Sequence, residues 1–199
     1  MTAARATRYY ALDMDATDVQ LLDAWKLPEA QAFVRNVWPM YVHEIAGFDT
    51  DFYRLDATGR WLPDIVEDWL VAETPTANLH RTPTHAEPGP QQRCHVVTAE
   101  GVPIGFACVG LPPFKYMPPD ADVYLAEFFI ASPFRRRGSA RHAVEALLLL
   151  YRGRWQLSAI HDNARATQFW RQTLPALPIR NLSEAAEARE LCFSFETDA

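Results

Sequence analysis

The stretch VYLAEFFIASPFRRRGSA, from Val123 to Ala140, decides the fold of this chain. Val123 to Ala131 is a continuous apolar run with a single charge, Glu127. A short apolar run bounded by loop signals predicts a strand buried on both faces. Ser132-Pro133-Phe134-Arg135-Arg136-Arg137-Gly138 then predicts a turn. From Ala140 the residues Val144, Leu147, Leu148 and Tyr151 continue one helical stripe, which Gly153 ends. A buried strand thus runs through a basic, glycine-containing turn straight into a helix. A helix start offers unpaired backbone N–H groups and a partial positive charge, so it is an anion site that suits a pyrophosphate. Gly138 removes a side chain where backbone must approach a ligand, and Ala140 does so less completely. Arg135, Arg136, Arg137 and Arg141 add local positive charge. Taken alone, these arginines fit a solvated basic turn as well as an anion site. The turn is neither a Walker loop nor a Rossmann fingerprint, because neither G-x-x-x-x-G-K-S/T nor G-x-G-x-x-G occurs.

Toward the C-terminus, Trp155 to Ile160 predicts a strand, Asp162 or Asn163 caps a helix, and Pro175 ends it. The inner face of that helix is Ala166, Phe169, Trp170 and Leu174, and Glu190 to Glu196 alternates as a last strand. Toward the N-terminus, Arg93 to Thr98 and Val102 to Val109 are strands joined by the hairpin turn Ala99-Glu100-Gly101. Leu111 to Pro119 is a Pro-rich loop, and Glu73 to Gln92 is a linker or a long surface loop. Tyr9 to Asp13 predicts a first strand, and Asp18 to Trp25, Glu29 to Ala46 and Leu62 to Val71 predict helices. In the longest of these Phe33, Val37, Met40, Tyr41 and Ile45 recur at helical spacing, Pro39 should kink or break it, and Gly47 suits its end. Strand-helix-strand units of this kind predict an α/β or α+β sheet with helices on its faces.

The chain of 199 residues predicts one domain over 1–199, with 49% hydrophobic and 22% charged residues. A net charge of -6 disfavours nucleic acid and anionic membrane as partners, since both are negative. Cys94, Cys108 and Cys192 are spaced as reduced small hydrophobes, not as a disulfide or zinc site. Met1 to Arg8 has no apolar signal core and Ala146 to Tyr151, the longest apolar run, is too short for a bilayer, so the expected location is cytoplasmic. His43-Glu44 has no metal-spaced partner, His80 and His85 lie in the Pro-rich loop, and no metal is expected; His161 and Asp162 at a strand end are candidate substrate contacts. No G-x-S-x-G elbow occurs.

Arg135-x-x-Gly138-x-Ala140, preceded by Ile130 and Phe134, resembles the coenzyme A pyrophosphate loop of the GNAT superfamily of N-acetyltransferases. At the expected distance, Asn163-x-x-Ala166-x-x-Phe169-Trp170 resembles the N-x-x-A-x-x-F-Y segment of that family. Glu127-Phe128-Phe129-Ile130 and Gly153-Arg154-Trp155 are similar to a little-characterised bacterial subgroup. The resemblance implies a GNAT-like fold, with a mixed, mostly antiparallel twisted sheet and flanking helices. It implies acetyl-CoA as co-substrate, lying in a gap between the strands at Val123 to Ala131 and Trp155 to Ile160. Pantetheine would pair with backbone near Phe129, Ile130 and Ala131, as an added strand does. The pyrophosphate would sit on the N–H groups of Arg137, Gly138, Ser139 and Ala140, with Arg135 and Arg141 reaching phosphate oxygens directly and Arg136 adding charge. Asn163 would bond the pantetheine arm, cap its helix, or both, with Ala166, Phe169 and Trp170 following it.

The implied reaction is direct attack of an amine, on a small molecule or a peptide, on the thioester. The Ile130 N–H is the oxyanion donor by the same resemblance. Glu127, the only acid in an apolar run, is the leading base or amine-binding carboxylate, its pKa raised by desolvation; otherwise it is a substrate-facing or structural carboxylate paired with an arginine. The chain departs from the family where a tyrosine acid is usual, since Trp170 offers only an indole N–H. Tyr124, Tyr116 and Ser132 are candidates for that acid by closeness in sequence, and the departure leaves open an acyl-CoA-binding protein with weak or no turnover. Trp38, Tyr41, Trp61 and Trp69 are assigned to the core, some of them also to the acceptor pocket. A homodimer is common among such folds.

Overall fold

A computed structural model describes residues 18–70 and 91–198. The expected strand at Tyr9 to Asp13 lies outside those residues, as does the expected loop from Glu73 to position 90. The hairpin forms as expected: β4 (Gln92–Ala99) and β5 (Val102–Gly110) are joined through Glu100 and Gly101, both at positive φ. The apolar run becomes β6 (Val123–Ile130), antiparallel to β5. Beside it lies β7 (Arg154–Ile160), in parallel, then β9 (Glu190–Glu196) and β8 (Arg180–Glu187), each antiparallel to its neighbour. At the far edge β1 (Val19–Asp23) pairs antiparallel with β4. The seven-stranded order β1-β4-β5-β6-β7-β9-β8 is therefore mixed and mostly antiparallel. A separate short hairpin joins β2 (Arg54–Leu55) and β3 (Trp61–Leu62).

Helices cover both faces. On one side α1 (Pro28–Ala46) and α2 (Val66–Leu70) pack Val34, Trp38, Val42 and Trp69 against Val96, Phe106 and Phe129. On the other, α3 (Ser139–Leu150) and α4 (Ala164–Thr173) pack Val144, Leu147, Leu148 and Trp170 against Leu125, Leu157 and Phe193. Among the described residues, no helix is long and apolar enough to cross a membrane.

Expectations for three segments need correction. Asp18 to Trp25 is not a helix but contains β1, because Val19 to Asp23 finds a ladder on β4 that outweighs local preference. Pro39 does not break α1; it sits on the exposed face, where the carbonyl it leaves unpaired is open to water. The buried stripe of α1 is also rotated from the expected one: Ala30, Val34, Trp38, Val42 and Ala46 are buried, Tyr41 is half-buried, and Met40 is 51% exposed. Third, Leu62 to Val71 is helical only from Val66, since the residue before Pro63 is pushed out of helical geometry and joins β3 instead.

Gly105 lets β5 and β6 approach. A Cβ there would stand 2.0 Å from the Phe129 carbonyl oxygen and 2.9 Å from the Ile130 Cα. Gly105→Ala is expected to cost about 1–3 kcal/mol, seen as a fall of several degrees in Tm, and to shift the strand that carries the site. A variant that melts within a degree of the parent would show that the two strands can separate without cost.

Candidate active site

The parallel contact between β6 and β7 is short. It pairs Val123 with Trp155, Tyr124 with Gln156 and Leu125 with Leu157, and goes no further. Asp122 pins this closed end: its carboxylate accepts from the Arg154 backbone N–H at 3.0 Å and from its guanidinium at 3.1 Å. Beyond Leu125 the strands diverge, and the second half of β6 faces a cleft. The Ala131 N–H donates to the Ile104 carbonyl at 2.8 Å, on the β5 side. Antiparallel ladders alternate, so Phe129 and Glu127 also turn their backbone groups to β5, while Phe128 and Ile130 turn theirs toward the cleft. Of the three residues expected to meet pantetheine, Ile130 thus presents its N–H to the gap, and Phe129 and Ala131 flank it.

The β5–β6 register slips between Cys108 and Val109, which face Glu127 and Leu125. Ala126 is the extra residue of a bulge, and a bulge reverses which face the following side chains take. Val123 and Leu125 point to the α3–α4 core, but after the bulge Glu127 and Phe129 point to α1. Without that extra residue Glu127 would share the apolar side of Leu125. Instead its carboxylate accepts a hydrogen bond from the Tyr41 hydroxyl of α1. Among the described residues its hydrogen-bond partner is this tyrosine and not an arginine.

Burial pushes the Glu127 carboxyl up to about 7, the Tyr41 hydrogen bond pulls it down, and the nearby Glu190 charge raises it further. The expected desolvation is therefore present. Around it Tyr41 is held well above its ordinary range, mainly by burial, and so is Tyr53. Tyr124 is pushed up to about 12, mainly by burial, although its hydroxyl meets Ser158 of β7. These phenols are neutral at pH 7, so the carboxyl is the group in this cluster that titrates near neutrality.

At the other mouth of the cleft, the turn after β6 leads into α3. Arg136 at φ 62° and Gly138 at φ 84° are both left-handed, and Gly138 is the N-cap residue. A glycine has no side chain with which to cap the helix. The first intrahelical bond is from the His142 N–H to the Gly138 carbonyl at 3.1 Å, so the N–H groups of Ser139, Ala140 and Arg141 precede it. Arg136 is exposed, whereas Arg135 folds inward: it donates to the Ile130 carbonyl, forks onto Glu44 at 2.8 and 3.0 Å, and lies over the Phe129 ring. Arg141 bonds Glu145 at 3.0 Å and the Ala176 carbonyl at 3.3 Å. Arg135 and Arg141 are thus tied into the fold, and exposed Arg136 and the helix N–H groups are the nearer candidates for phosphate.

Asn163 caps α4, accepting from the Ala166 N–H at 3.1 Å. Phe169 stacks on Phe128 at 6.1 Å, and Trp170, 5% exposed, lies 5.5 Å from the same ring. These ring contacts pack α4 against β6. Of the three possible acids, Tyr116 is 66% exposed in its loop and Ser132 is exposed, while Tyr124 stands at the closed end of the cleft. Sequence reasoning missed Glu190, Tyr53 and Ser158, which reach this place through β9, a loop and β7; no local pattern marks them. Tyr41 was visible as one member of a helical stripe, without its bond to Glu127.

The profile of the acetyltransferase (GNAT) family matches residues 61–174. An acetyltransferase of Thermus thermophilus superposes with TM-score 0.58 at 15% identity, covering 92% of this chain and 99% of that one. A protein of Desulfovibrio desulfuricans described as of the GNAT family gives 0.48 at 16%, covering 91% and 99%. Diaminobutyrate acetyltransferase of Paenibacillus lautus, in complex with its substrate and coenzyme A, gives 0.40 at 16%, covering 52% and 69%. No curated protein matches.

Proposed function

The chain belongs to the acetyltransferase (GNAT) family, and from that premise we propose that it carries an acetyl group from acetyl-CoA to a primary amine by direct attack on the thioester. The observation that carries this reading is the cleft between β6 and β7, with half-buried Glu127 on its α1 side and the start of α3 behind Gly138 at its end. Acetyl-CoA suits such a place: an extended arm meets cleft-facing backbone at Phe128 and Ile130, and a pyrophosphate meets the N–H groups of Ser139 and Ala140 and the charge of Arg136 and Arg137.

Glu127, as carboxylate, takes a proton from the amine directly or through a water. The amine nitrogen then forms its bond to the carbonyl carbon, and the Ile130 N–H stabilises the oxyanion. As the C–S bond breaks, the sulfur leaves as thiolate and takes a proton from Tyr124 or from water. Tyr124 keeps its own proton at neutral pH and can serve; Trp170, an indole in the core, cannot. A thiol ionises not far above neutrality, so a dedicated acid helps without being required.

The test is thiol release from acetyl-CoA over a panel of small amines and peptide N-termini, alongside calorimetric titration with acetyl-CoA, CoA and ATP. The expected result is amine-dependent release and CoA binding of order micromolar, with none for ATP. Binding without release on any member of the panel would favour a binding protein, and no binding would overturn the assignment of the basic turn.

A further inference from the structure

Tyr41 is placed with little freedom. Its ring meets Trp38 at 5.5 Å, Phe106 at 5.5 Å and Phe129 at 5.8 Å, edge-on in each case. Such contacts fix the ring in one orientation. Phe129 lies two residues beyond Glu127 on the same face of β6, so one strand carries both the carboxylate and a wall of the ring's socket. The phenol hydroxyl donates to the Glu127 Oε2. Among the described residues, no hydrogen bond ends on Oε1.

We propose that Tyr41 is a positioning residue for acetyl transfer: by holding Oε2 it sets the plane of the Glu127 carboxylate and leaves Oε1 to take the proton of the amine. The proposal rests on Glu127 being the base. A carboxylate on a strand can turn about its terminal bonds, and a base that wanders loses the alignment that proton transfer requires. The rigid donor also favours the charged form of the carboxyl, against burial and against Glu190. The titratable groups facing Glu127 are Tyr41 from α1, Tyr53 from the loop that follows it, Cys108 from β5, Tyr124 from β6 itself and Glu190 from β9. Burial holds the three phenols and the thiol neutral, so loss of the Tyr41 hydroxyl acts on the Glu127 proton.

The experiment is the pH profile of kcat/KM for the parent, Tyr41→Phe and Glu127→Gln, with Tm measured for each. Removing a donor to the carboxylate raises its pKa, so the acid limb of Tyr41→Phe should move up by about one pH unit. From a limb near 7, that shift lowers kcat/KM about eightfold at pH 6.5 and less than twofold at pH 9. A fluorinated tyrosine at position 41 keeps the ring's shape and donates more strongly, so it should move the limb down; it also serves if Tyr41→Phe folds poorly. An equal loss at every pH for Tyr41→Phe, with an unmoved limb for the fluorinated residue, would reduce Tyr41 to packing and overturn the proposal while leaving Glu127 as base. A limb that persists unchanged in Glu127→Gln would overturn the assignment of Glu127 itself.

Discussion

Glu127→Gln is expected to lower turnover by about 10²–10⁴-fold at neutral pH while leaving acetyl-CoA affinity within about twofold of the parent. The amide has the shape of the carboxyl and can still accept from Tyr41, so the aromatic socket and the strand remain as they are. What it cannot do is take a proton. An amine must be neutral to attack, and water alone removes its proton poorly at pH 7. The parent carboxyl, raised to about 7 chiefly by burial, is matched to that task. Because Glu127 lies on the α1 side of the sheet, whereas the pyrophosphate is assigned to the start of α3, binding and turnover should separate cleanly in this variant. A rate unchanged from pH 6 to pH 9 would remove Glu127 from the chemistry.

The second large effect is expected at Gly138. Gly138→Val should weaken acetyl-CoA binding about 100-fold or more, with a fall in Tm of only a few degrees. A Cβ built here meets nothing closer than the His142 ring at 3.8 Å, so the protein itself has room for a larger side chain. The backbone does not: φ is 84°, and a β-branched residue is strained there by about 1–3 kcal/mol. The valine would either occupy the space in which an anion reaches the α3 N–H groups, or turn the loop and disperse those groups. Both lead to the same loss of binding, measured by calorimetry against a thermal melt of the same sample. Tight binding by a folded Gly138→Val protein would mean that the pyrophosphate lies elsewhere.

Much of the frame around this candidate site is legible in the sequence. The strand, turn and helix from Val123 to Tyr151 appear where their residues predict, because a buried apolar run, a left-handed glycine and a stripe of leucines act over a few residues. Asn163 caps α4 for the same local reason. The failures had a non-local origin: Val19 to Asp23 became a strand only because β4 was there to pair with it.

By itself, then, the sequence determined the order of elements around the basic turn, the helix start behind Gly138 and the isolated acid in β6, since each depends on short-range sterics, hydrogen bonding and periodicity. The tertiary structure decided the rest. It opened the cleft by ending the β6–β7 ladder at Leu125, and it turned Glu127 toward α1 through one extra residue at Ala126. It also set Tyr41, 86 residues away in sequence, against that carboxylate. Where ladders end, where a bulge falls and which helix covers which face follow from the packing of many distant side chains at once, and no segment of the chain carries that information alone.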